Sequence, residues 1–124
     1  MDIITDNYYA LNHSFLYYLH EKDNFNIDAF YKLINYIDFL PKKQDNITLQ
    51  LMIIQNEILK HIIYHFDPND ISKITNLPDN YLEHLSTLEL SIKNILGNRR
   101  ANSHQYPLWK QYNKTINIKF ALLS

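Results

Sequence analysis

Glu57, His61 and His65 stand at i, i+4 and i+8 within the apolar run 45–66. Two imidazoles and a carboxylate one helical turn apart can share a metal ion. On a helical wheel, however, the three positions drift by about 40° per step. Glu57 falls on the polar arc, His61 at its edge and His65 within the apolar face. We therefore expect a solvated glutamate and two boundary histidines, and no metal site within one chain. Gln55 lies on the apolar arc between Leu51, Ile58, Leu59 and Ile62. A buried amide needs hydrogen-bond partners, so the expectation is a contact to a neighbouring helix or to the C-terminal segment.

A second set of residues lies near the C-terminus. Arg99-Arg100-Ala101-Asn102-Ser103-His104 resembles the Arg-x4-His signature of the HEPN ribonucleases, which are small helical bundles. The resemblance covers six residues. It implies that Arg99 would hold a phosphate while His104 assists attack of the RNA 2′-hydroxyl. Arg100 stands where the family commonly has Asn, Asp or His, and Pro107 interrupts the helix expected past the histidine. Further along, Tyr106, Trp109, Tyr112 and Phe120 interleave with basic residues. Such a mixture can stack on bases and neutralise phosphates, or it can contact protein. Tyr106, Trp109 and Tyr112, with Arg99 and Arg100, are the candidate binding residues. No Ser-His-Asp spacing, paired-carboxylate pocket or phosphate-cradling glycine loop is visible, and no cofactor is implied.

Charge separates the chain into two parts. Residues 1–96 hold all 13 acids and 7 of the 12 bases, a balance of −6. Residues 97–124 hold Arg99, Arg100, Lys110, Lys114 and Lys119 and no acid, a balance of +5. A polyanion would be repelled by the larger part, which argues against nucleic acid as the partner. There is no cysteine, which removes disulfides and thiolate sites. One glycine and four prolines leave few tight turns, so helices are favoured over sheets. No signal-peptide pattern and no membrane-spanning apolar run are present, and the expectation is a cytoplasmic protein.

The elements follow from hydrophobic period. Tyr8, Leu11, Phe15, Leu16, Tyr18 and Leu19 predict a first helix over 5–20. Ile27 to Leu40 repeat the pattern, capped by Asn24 or Asn26 and stopped by Pro41. Lys42-Lys43-Gln44 is a short link, which favours antiparallel neighbours. The run 45–66 predicts the spine, with Ile47, Leu51, Met52, Ile54, Ile58, Leu59, Ile62, Ile63 and Phe66 covering about half its circumference. Asp67-Pro68 predicts a short helix to about Thr75, and Tyr81, Leu85, Leu88, Ile92 and Ile95 a bundle seam ending at Gly97. Ile116, Ile118, Phe120 and Leu122 alternate as a strand does. That strand is expected to pair with 104–109 as a hairpin, or else with another chain, either a second copy in a homodimer or the target.

The fold class is thus mainly α. It is a single-domain bundle (1–97) of four main helices and one short helix, with a basic aromatic tail (98–124) carrying a hairpin or strand and docked on the same domain. The favoured function is occlusion of a protein partner, as an immunity protein or antitoxin neutralising a basic nuclease toxin. Ten tyrosines and a tryptophan, enriched types at interfaces, motivate it alongside the acidic body. The alternative is the HEPN-like ribonuclease using Arg99 and His104.

Overall fold

A computed structural model describes residues 2–41 and 45–96. Among these, the chain forms five helices and no strand: α1 (Ile3–Tyr8), α2 (Phe15–Lys22), α3 (Ile27–Asp38), α4 (Asp45–Phe66) and α5 (Tyr81–Ile95). The expected C-terminal strand and the Gly97 cap lie outside the described residues.

The spine helix spans the expected range, but its buried stripe is narrower than half the circumference. Leu51, Ile54, Ile58 and Ile62, spaced by three and four residues, are fully buried, with Ile47, Leu59 and Phe66 packed partly against the same core. Met52, expected inside, is exposed, as are Leu49 and Ile53. Gln55 is partly buried rather than enclosed. The corrected face fits a helix with three neighbours on one side: α1, α2 and α5.

The spine does not pack on α3. No Cα atoms of α3 and α4 approach within 8 Å, whereas α1 and α2 each contact both of them and α5 also contacts both. The bundle has four corners, with α3 and α4 on a diagonal and the α1–α2 pair filling one corner. The short 42–44 link predicts α3 and α4 as antiparallel neighbours, but the two do not touch; α4 packs on α1, α2 and α5 instead, with the Phe66 and Tyr81 rings 5.4 Å apart at the two ends of the connector to α5. At the core, Phe15, Phe25 and Phe30 from three successive segments meet at ring separations of 4.9 to 5.8 Å, mostly edge-to-face. Leu85, Leu88, Ile92 and Ile95 of α5 complete it at the expected seam.

Two expected helices are absent in the predicted form. The first is split: α1 ends at Tyr8 and α2 starts at Phe15. Polar side chains compete with the backbone here. Ser14 caps α2 by accepting from Tyr17 N at 3.2 Å, and Asn7 accepts from Leu16 N at 3.0 Å. Each of these bonds starts a new helix where periodicity alone would continue the old one. The second is the segment after α4, which forms turns instead. Asp67 Oδ1 accepts from Asn69 N at 3.0 Å and Asp70 Oδ1 from Ser72 N at 2.8 Å. Both are Asx turns, which hold the chain out of the helical conformation.

The expected cap of α3 forms, and a left-handed residue closes α2. Asn26 caps α3 by accepting from Ala29 N at 2.9 Å, and Asp23, left-handed at φ 49°, closes α2 as Asn24 N donates to Tyr18 O at 3.0 Å.

Candidate functional site

The break between α1 and α2 builds the most distinctive surface among the described residues. Ala10, Asn12 and His13 all have left-handed backbones, at φ 55°, 56° and 59°. A non-glycine residue there costs roughly 1 kcal/mol, and three within four positions persist only if surrounding bonds over-determine them. Those bonds are present. Leu11 N donates to Asp6 O at 2.8 Å, Asn12 Nδ2 to Asp6 Oδ1 at 2.9 Å and Ser14 Oγ to Asp6 O at 3.2 Å. Asp6 is thus the hub on which the loop is wound. Beneath it Asn7, 1% exposed, spans both helices, with Nδ2 donating to Ile3 O at 2.9 Å and Oδ1 accepting from Leu16 N.

The winding pushes apolar and aromatic groups outward. Tyr9 is 59% exposed and Leu11 45%. His13 is exposed and lies against Tyr17 and Tyr18, at ring separations of 5.1 and 6.0 Å. Beside the loop a cleft of about 160 Å³ is lined by Ile3, Asp6, Asn12, His13, Ser14 and Lys32. It has room for one side chain of a partner rather than for a cofactor.

A larger groove of about 340 Å³ separates the C-terminal halves of α3 and α5, with Ile37, Leu40, Leu90 and Ile95 on its walls and Thr87, Ser91 and Asn94 at its edge. Among the described residues Asp38 is the one ionisable side chain lining it.

The titratable residues singled out by spacing go separate ways. Glu57 pairs with Lys60 at 3.1 Å. His61 meets His20 of α2 edge-to-face at 4.5 Å. His65 accepts from Ile74 N through Nδ1 at 3.0 Å. Burial, and then the neighbouring His20, hold His61 below the usual imidazole range, against an opposing pull from Glu57, Asp23 and Asp70. Burial and then Lys73 lower His65. Among the described residues no three His, Asp or Glu side chains are grouped to hold a metal ion.

Periodicity did not point to His84 as a core residue. It is buried on α5 among Phe25, Phe30 and Tyr31, stacked on the first at 5.6 Å, and burial lowers its affinity for protons. Its place three residues after Tyr81 and four before Leu88, both on the seam, was the available signal. The left-handed loop had one too, in the run Asn12-His13-Ser14, whose side chains favour caps and turns over helix interiors. Arg99, Arg100, His104, Tyr106, Trp109 and Tyr112 lie outside the described residues. No helix among the described residues is long and apolar enough to cross a membrane.

No protein-family model, curated protein or solved structure matches the chain.

Proposed function

We propose that this chain is a small cytoplasmic binding protein that occludes a protein partner, and that the partner is a basic nuclease toxin which it neutralises as an immunity protein. The observation that carries the reading is the α1–α2 loop. Backbone strain held by a built hydrogen-bond network presents Tyr9 and Leu11 to solvent, and rigid aromatic prominences are the usual anchors of protein interfaces. The balance of −6 over residues 1–96 suits a partner whose substrate groove is basic. The basic residues Arg99 and Arg100, with Tyr106, Trp109 and Tyr112, are a second contact set in this reading.

The experiment co-expresses the chain with the product of the adjacent gene and measures growth rescue and calorimetric affinity. Tyr9→Ala should weaken the complex by about 30-fold, the loss of a hot spot worth ~2 kcal/mol, with an unchanged melting temperature. Ala10→Gly should separate stability from binding. It removes a left-handed alanine and so should raise the melting temperature by a few degrees, yet it frees the loop and should loosen the complex. Rescue that survives both Tyr9→Ala and Leu11→Asp would remove the loop from the interface. The HEPN-like alternative is decided in parallel: RNA cleavage by the wild type, abolished in His104→Ala, would put the ribonuclease reading first.

A further inference from the structure

The connector between α4 and α5 is fastened at two places of different chemistry. On one side Asn76 grips the backbone of Phe25 from both ends, its Oδ1 accepting from Phe25 N at 2.7 Å and its Nδ2 donating to Phe25 O at 3.1 Å. Next to it Thr75 donates to Asp23 O through N at 2.8 Å and through Oγ1 at 3.2 Å. None of these groups titrates near neutrality.

The other fastening joins the connector to the last turn of α4. Ile74, buried in the core, donates its N–H to His65 Nδ1, and Lys73 Nζ donates to the carbonyls of Tyr64 and Asp67. Here one acceptor is an imidazole nitrogen, which accepts only while it carries no proton. An imidazolium has two donors and no acceptor, so the Ile74 bond and a proton on Nδ1 exclude each other.

We propose that this connector is an acid-released strap: uptake of a proton by His65 detaches it from α4 at Ile74, while Asn76 and Thr75 keep it on the Asp23–Phe25 turn. The device is independent of what the α1–α2 loop binds.

The surroundings reinforce the direction. Among the described residues the charged group acting on His65 is Lys73 from the connector itself, and an imidazolium beside that ammonium is repelled. One turn earlier, the groups acting on His61 are His20 and Asp23 from α2 and its cap, Glu57 from α4 and Asp70 from the connector. No charged group of α1 or α5 acts on either ring. An open strap returns His65 to the ordinary imidazole range, and burial with Lys73 in the closed strap holds it lower. The closed form is therefore fully favoured above the ordinary imidazole range and loses ground as the pH falls through it.

The test is amide hydrogen exchange on the full chain, corrected for intrinsic rates, from about pH 7.5 to about pH 5. Protection at Ile74 should fall by about tenfold, with protection at Ile58 in the spine changing far less. His65→Asn places an amide oxygen where Nδ1 stood and does not titrate, so the fall should vanish. Ile74 protection that stays constant, that falls in step with Ile58, or that still falls in His65→Asn overturns the proposal. Should that variant not fold, the wild type still decides: the Ile74 amide resonance must move with the midpoint of the His65 ring titration, and a separate midpoint rejects the strap.

Discussion

Ile58→Asp is expected to abolish folding. Ile58 is fully buried at the middle of the α4 stripe, between Ile54 and Ile62, on the helix that touches three others. Deleting a buried isoleucine to alanine already costs about 2–5 kcal/mol, and a carboxylate placed there adds the penalty of an unpaired buried charge. A domain of this size has about 5–15 kcal/mol in hand. Far-UV circular dichroism should show no cooperative melt. A variant melting within a few degrees of wild type would mean that this face of α4 is not in the core.

Asn7→Ala should be the most damaging of the polar substitutions. It strips the acceptor from Leu16 N, a buried amide in the first turn of α2, and the donor from Ile3 O. Leaving a buried donor unpaired costs about 1–3 kcal/mol beyond the bond itself, so the melting temperature should drop by roughly 10 °C. The Leu16 amide should lose its exchange protection first. A normal melt with Leu16 still protected would show that the α1–α2 joint is held by something other than Asn7.

The contrast between these two residues explains what was legible in the sequence. Ile58 belongs to a 22-residue helix whose identity is stated many times over by apolar repeats, and its bounds and the middle of its buried face could be read from the chain directly, though not the width of that face. The same holds for α3, with Asn26 before it and Pro41 after it, and for the seam of α5. Asn7 acts through two hydrogen bonds in a region where period and capping chemistry give opposite answers. The apolar spacing over 5–20 is helical, and local side-chain bonding overruled it. The connector failed for the same reason: Asp67-Pro68 is a good helix start, yet Asp67 and Asp70 turned their oxygens onto nearby amides.

The candidate site was less legible than the fold, because its parts come from different places in the chain. Spacing along one helix set Glu57, His61 and His65 apart, but the contact that matters to His61 is with His20, and the one that matters to His65 is with Ile74. Neither follows from a pattern within a single element. The exposed loop is a three-dimensional fact as well. Tyr9 and Leu11 occupy helical positions on paper and become prominences only because Ala10, Asn12 and His13 reverse the backbone.

The diagonal placement of α3 and α4 also dictates an order of events in folding. Helices α1, α2 and α3 contact one another, and α4 contacts α5, so the chain contains two units that can each form by local encounters. Uniting them is the non-local step, in which Asn76 reaches a backbone 51 positions away. The two-sided Asn76 grip needs both units already docked in near-native geometry, so these bonds should form after the rate-limiting barrier. Asn76→Ala should then leave the refolding rate almost unaltered and accelerate unfolding, a φ-value near zero. A chevron in which the folding arm shifts instead would mean that the two units find each other early, and that the Asn76 grip nucleates the fold rather than sealing it.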